Sequence, residues 1–176
     1  QYQVYDVTAM LNNGANAVGV IAGMGWYRGF LAWDNNKNIY GKKTGVLFQL
    51  EIEYSDGSTQ TIVSDESWKS SYGAIRYAEI YNGETIDARE EKTGWSSAQF
   101  NDADWSGVKV AGTDKANLVA TYNEPIKKQE QFKPLKIFKT PKGELIADFG
   151  QNLVGWVELK VKGNSGDKIT IYHTEV

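Results

Sequence analysis

Residues 46–63 read VLFQLEIEYSDGSTQTIV. Phe48, Leu50, Ile52 and Tyr54 alternate with Gln49, Glu51 and Glu53, the period of two that a strand shows when one face is buried and the other is wet. Ser55-Asp56-Gly57-Ser58 breaks the pattern with turn-forming residues, and Thr59 to Val63 resumes it, so the segment reads as a β-hairpin.

The same grammar recurs outward from this point. Residues 135–150, LKIFKTPKGELIADFG, read as two short strands around Pro141-Lys142-Gly143. Residues 155–173, GWVELKVKGNSGDKITIYH, set Val157, Leu159 and Val161 against Ile169 and Ile171 across a Gly163-Asn164-Ser165-Gly166 turn. In GWYRG, 25–29, the alternation reads as a strand with Trp26 and Arg28 on one face and Tyr27 on the other. One helix-like piece stands out, Val7 to Leu11, with Asp6 or Thr8 as its cap and Asn12-Asn13-Gly14 as its stop. Aromatic content of 12%, 18 glycines and only 3 prolines agree with an all-β protein. The expected fold is an antiparallel β-sandwich of jelly-roll, galactose-binding-like form, followed by the start of a second β-sandwich.

A segment between the two, YNEPIKKQEQFKP at 122–134, carries charged and amide residues, two prolines and little alternation. It divides the chain into a sandwich at 1–122, a linker at 123–134 and a second module from 135 to 176. The spacing shared by Asp65 to Trp68 and Asp102 to Trp105 reads as coincidence, with tryptophans plugging sandwich edges, because the surrounding residues differ.

Composition excludes several classes of partner. Nineteen basic against 22 acidic residues, with no basic block, leave no nucleic-acid footprint. No apolar run approaches the roughly 18 residues that span a bilayer, so no membrane partner is expected. Cysteine is absent, which removes disulfides and thiolate chemistry but leaves the compartment open. The single histidine, His173, ends an alternating strand; one imidazole and no thiolate make neither a catalytic triad nor a zinc or iron site. It reads as an interface or edge residue. No glycine pattern forms a phosphate cradle.

Carboxylates remain, because glycoside hydrolysis needs an acid and a base flanking the scissile bond. YNGETIDAREE, 81–91, gathers Glu84, Asp87, Glu90 and Glu91 beside Arg89. The structural reading is an ion pair of Asp87 or Glu84 with Arg89 on a strand, which if buried would cost on the order of 3 to 5 kcal/mol to break; the catalytic reading uses Glu84 and Asp87 as acid and base.

The ordered series YDVT (5–8), GANAVGV (14–20), GWYRG (25–29), NIYG (38–41), YSDGS (54–58), SDESW (64–68), YNGETIDAR (81–89), GW (94–95) and DADW (102–105) resembles the N-terminal β-sandwich module of bacterial α-L-rhamnosidases. IADFGQNLVGWVELKVKGNSGDKITIYHTEV (146–176) resembles the module that follows it. The resemblance implies a multi-modular parent that hydrolyses terminal α-L-rhamnosyl residues with inversion. Its acid and base would lie on a downstream (α/α)6 barrel, leaving no catalytic residue here and a chain cut at both ends. It implies L-rhamnose-containing glycans and that barrel as partners. In some family members the sandwich holds L-rhamnose through calcium, and the 23–41 segment offers the chemistry: Trp33 or Tyr40 to stack on a sugar, Asp34, Asn36 and Asn38 to supply hard oxygens, with Asp34 and Asn38 as the metal ligands. Family binders also draw on an Asp-Asn pair lying upstream of Gln1. Turn-forming asparagines with aromatics packed on the sandwich are the alternative for this loop, and a free-standing lectin-like module is the alternative for the chain.

Overall fold

In the computed structural model, which describes residues 1–174, ten short strands follow in order. They are β1 Phe30–Leu31, β2 Asn36–Lys37, β3 Gln49–Glu53, β4 Thr59–Val63, β5 Lys69–Ser70, β6 Ile75–Glu79, β7 Gly83–Ile86, β8 Ser106–Gly107, β9 Lys136–Lys139 and β10 Leu145–Asp148. Helix is confined to one turn, α1 Gly25–Arg28, and to 3-10 turns at Thr8–Met10 and Ala88–Glu90. The strands pair antiparallel as five two-stranded ladders, β1–β2, β3–β4, β5–β8, β6–β7 and β9–β10. The chain divides into two units, Gln1–Ala120 and Thr121–Val176.

The hairpin expected at 46–63 forms as β3–β4, with Leu50 opposite Ile62 and Glu51 opposite Thr61. Its turn follows from residue chemistry. Asp56 Oδ1 accepts from Ser58 N at 2.9 Å and Ser58 Oγ at 2.6 Å, and Gly57, at φ +82°, supplies the left-handed residue. Ser64 N donates to Phe48 O at 3.0 Å and Phe48 N to Ser64 Oγ at 3.1 Å, closing the open end. The apolar face is covered in part by Leu11, Val18 and Trp68, whose ring lies 5.4 Å from that of Phe48, and it encloses a cleft of about 580 Å³. Among the described residues only Gly29, Ala74 and Glu79 are buried outright.

The β9–β10 hairpin also forms, turning at Gly143 and pairing Phe138 with Ile146. Three expectations change. Residues 155–173 turn near Ser165 and Gly166, but Val157 to Val161 and Ile169 to Ile171 do not pair as strands, and Leu159 and Val161 stay exposed. GWYRG is not a strand. Gly25 at φ +49° and the extended Gly29 close it into one helical turn, with Arg28 N donating to Met24 O and Gly29 N to Gly25 O, both at 3.0 Å. The helix-like piece at 7–11 is a 3-10 turn whose first residue, Thr8, donates its N–H to Asp6 Oδ1 at 2.9 Å, so it is not the chain's one helical piece.

The shared Asp-to-Trp spacing corresponds to a shared backbone turn. Trp68 N donates to Asp65 O at 3.2 Å and Trp105 N to Asp102 O at 3.0 Å, so both segments are the same kind of turn. Each turn delivers the chain into a strand, β5 and β8, and those strands pair with Lys69 opposite Gly107. Lys69 Nζ then meets Asp102 Oδ1 at 2.8 Å.

Candidate carbohydrate-binding site

β1 and β2 make a miniature hairpin whose tip, residues 32–35, is Ala32-Trp33-Asp34-Asn35. Ala32 (φ +59°), Asn35 (+52°) and Asn38 (+60°) all take the left-handed conformation, which asparagine tolerates because its short polar side chain offsets the steric cost. The tip pushes Trp33 into solvent at 96% exposure, and Tyr40 beyond the hairpin is also exposed. Exposed indole surface is costly in water and gives a sugar's apolar face something to cover.

The hairpin base is anchored at two points outside it and closed by one cross-strand contact. Asn38 N donates to Arg28 O at 3.2 Å, Phe30 N donates to Glu79 Oε2 at 3.3 Å, and Lys37 Nζ lies 5.8 Å from the Phe30 ring centre. Glu79 is 7% exposed, and its other oxygen, Oε1, accepts from Asn82 N. One carboxylate therefore braces the start of β1 against the β6–β7 turn. Arg28 Nη1 donates to Thr44 Oγ1 at 3.0 Å, while its buried Nε has no acceptor among the described residues. Trp26 meets Tyr81 edge-on at 5.5 Å. Glu79 is the residue that sequence reading missed. Its signal was a carboxylate two residues after Tyr77, on the same face of β6.

The expected donors are distributed rather than gathered. Asn36 stands on β2 opposite Leu31, Asp34 is on the tip, Asn38 is just past β2, and none of these side chains bonds to another among the described residues. No three Asp, Glu or His side chains converge among the described residues in a way that holds a metal. Calcium takes 6 to 8 oxygens. Asp34, Asn36 and Asn38 are donors of the right kind and would be the residues to hold it, with backbone, water and sugar oxygens completing the shell.

The GETIDAR segment is organised differently from the expected strand. Asp87 caps the Ala88–Glu90 turn by accepting from Arg89 N at 3.1 Å. The Arg89 fork grips the same carboxylate, Nε to Oδ1 at 2.8 Å and Nη2 to Oδ2 at 2.6 Å. Those bonds hold Asp87 down at about 2, well below its usual range. The pair is not buried: the Arg89 side chain is 69% exposed, so the large penalty of a buried pair does not apply. Glu84 stands apart on β7 opposite Ala78, exposed and in no ion pair among the described residues.

Residues 1–130 match the family model described as the alpha-L-rhamnosidase N-terminal domain, and 138–176 match the bacterial alpha-L-rhamnosidase concanavalin-like domain. Curated α-L-rhamnosidases from Formosa agariphila and Streptomyces avermitilis are 39% and 37% identical over 99% and 100% of this chain, which spans 19% and 17% of their lengths. Among solved structures, the native α-L-rhamnosidase of Aspergillus terreus aligns over 75% of this chain and 15% of its own, with a TM-score of 0.70 at 42% identity. The Streptomyces avermitilis enzyme complexed with L-rhamnose aligns over 74% of this chain and 13% of its own, with a TM-score of 0.67 at 34% identity. The all-β sandwich architecture is shared with these proteins.

Proposed function

The chain belongs to the alpha-L-rhamnosidase N-terminal domain family, and from that premise we propose that it is a non-catalytic β-sandwich portion of an α-L-rhamnosidase. The parent would hydrolyse terminal α-L-rhamnosyl residues with inversion on an (α/α)6 barrel elsewhere in its length. This portion would support the barrel and present a weak L-rhamnose site at Trp33, Asp34, Asn36, Asn38 and Tyr40. The observation that carries the reading is the succession of two rhamnosidase family matches along a chain that spans under a fifth of its curated relatives.

The local chemistry supports it. A general acid near neutral pH needs a raised pKa, whereas both Asp87 oxygens are engaged by Arg89, which holds that carboxyl down at about 2. Trp33 offers a stacking face, and Asp34, Asn36 and Asn38 along one short hairpin are oxygen donors of the kind taken by a cation that bridges to sugar hydroxyls.

Calorimetric titration of the purified chain with L-rhamnose tests the site. Weak binding is expected, lost on chelation of calcium and in both Trp33→Ala and Asp34→Ala. Binding unchanged by chelator removes calcium from the reading, and binding unchanged in both variants moves the site elsewhere. The same preparation is expected to leave p-nitrophenyl α-L-rhamnoside intact; turnover that vanishes in Glu84→Gln or Asp87→Asn overturns the non-catalytic assignment.

A further inference from the structure

The sequence contains two Asn-Gly pairs, Asn13-Gly14 and Asn82-Gly83, and one Asp-Gly pair, Asp56-Gly57. All three place a glycine, without a Cβ to obstruct its nitrogen, after a side-chain carbonyl. They share one latent reaction. The glycine nitrogen loses its proton and attacks the preceding side-chain carbonyl carbon. A C–N bond forms, ammonia (from Asn) or water (from Asp) departs, and the resulting five-membered imide is opened by water to aspartate or isoaspartate. For asparagine the balance is one water consumed and one ammonia released, with no oxidant or reductant.

The fold treats the three pairs unequally. Gly57 N is committed to Tyr54 O at 2.9 Å, and the Asp56 carboxylate is held by Ser58 N and Oγ. Gly83 is fixed in register opposite Glu79 at the start of β7, and Asn82 N donates to the buried Glu79 carboxylate, so the fold restrains the backbone of this pair rather than the Asn82 side chain. Asn13-Gly14 has neither restraint: the Asn13 side chain makes no hydrogen bond, and Gly14 N has no acceptor among the described residues. The neighbouring bonds pass it by. Asn16 Oδ1 takes Asn12 N at 2.9 Å, and Asn16 Nδ2 donates to Asn12 O at 2.8 Å and Gly14 O at 3.0 Å. That clasp fixes the carbonyl side of Gly14 and leaves its nitrogen free. Asn13 is exposed, and Gly14 sits at φ +94° with open space around it.

We propose that Asn13 is a self-modification site of this protein, converting to aspartate and isoaspartate through attack by Gly14 N while the other two pairs are protected by the fold. The consequence is local. Asn13 is among the residues that line the cleft over β3 and β4, so conversion places a new carboxylate there. The isoaspartyl form also adds a methylene to the backbone, which draws Gly14 O off Asn16 Nδ2 and loosens the clasp.

The test is ageing of the folded full chain in mildly alkaline buffer, followed by tryptic mass mapping. Peptides 1–28, 44–69 and 77–89 carry the three pairs separately. Peptide 1–28 is expected to gain the amide-to-acid mass, and react with an isoaspartyl methyltransferase, at least tenfold faster than 77–89 does. In guanidinium that difference should collapse, because the protection of Asn82 belongs to the fold. Asn13→Gln, whose longer side chain cyclises poorly, should silence peptide 1–28. Equal conversion of 1–28 and 77–89 in the folded chain overturns the proposal, as does conversion of 1–28 that persists in Asn13→Gln, which would move the chemistry to Asn12 or Asn16.

Discussion

Asp87 shows how much one residue's role depends on its exposure. The sequence pointed to a pairing with Arg89, and the pair is present, but as the cap and fork of a 3-10 turn rather than two neighbours on a strand face. A side chain exposed as far as that of Arg89 is screened by water, so Arg89→Ala is expected to move the melting temperature only slightly. The pH dependence is the sharper measure. Asp87 is depressed from 3.8 to about 2 in the folded chain. A group lowered on folding stabilises above its unfolded value, and that contribution disappears as pH falls through the folded one. The melting temperature of the native chain should therefore exceed that of Asp87→Asn at neutral pH, and the gap should close between pH 3.8 and about 2. A gap that is constant across this window would mean that the Asp87 carboxylate is not held by Arg89.

At the scale of elements, what was legible is what is local. Alternation and turn chemistry lie within the same eighteen residues at 46–63, so both strands of that hairpin could be read directly. β5 and β8 pair residues nearly forty positions apart, and only the repeated Asp-to-Trp turn hinted at it. GWYRG was misread because four residues are too few for period two to be told from a single helical turn when glycines flank both ends. The hairpin expected at 155–173 had the pattern, but its apolar residues stay exposed. The candidate sugar loop was legible in its residue types and not in its support. The brace is Glu79, which joins β1 to the β6–β7 turn; beside it Gly29 has no room for a side chain, because a Cβ there would clash with Gly25 O and come within 3.3 Å of Glu79. Glu79→Ala orphans the Phe30 and Asn82 N–H groups; Phe30 is half-buried and Asn82 exposed, so the loss falls toward the lower end of the about 1–3 kcal/mol that an unpaired buried donor costs. A drop in thermal stability of that order is expected, along with faster amide hydrogen exchange at Phe30. Unchanged exchange at Phe30 would show that the hairpin does not depend on this carboxylate.

At the scale of the whole chain, the two units meet in sequence at Ala120 and Thr121, and the residues that follow have the properties of a cleavable connector. From 122 to 134 no residue belongs to a strand or helix, Tyr122 and Ile126 are almost fully exposed, and the backbone makes no ladder with other described residues. Proteases cut chain that can be drawn away from its surroundings, and exposed segments without ladder hydrogen bonds are where nicking concentrates. The segment contains Lys127, Lys128 and Lys133. Lys133 precedes Pro134, whose ring restricts the residue before it, and makes a poor site. Lys127 and Lys128 are exposed and followed by ordinary residues. Lysines held in the ladders are protected by comparison: Lys69 is paired to Asp102 and Lys136 to Asp148 at 3.2 Å. Limited trypsin digestion should therefore cut first after Lys127 or Lys128, leaving an N-terminal piece that carries the whole of the first unit. That piece should show a cooperative thermal transition of its own, because β3–β4 and β6–β7 lie entirely within it. First cleavage at Lys69, Arg76 or Arg89 instead would place the weakest backbone inside the sandwich and would refute the connector at 123–134.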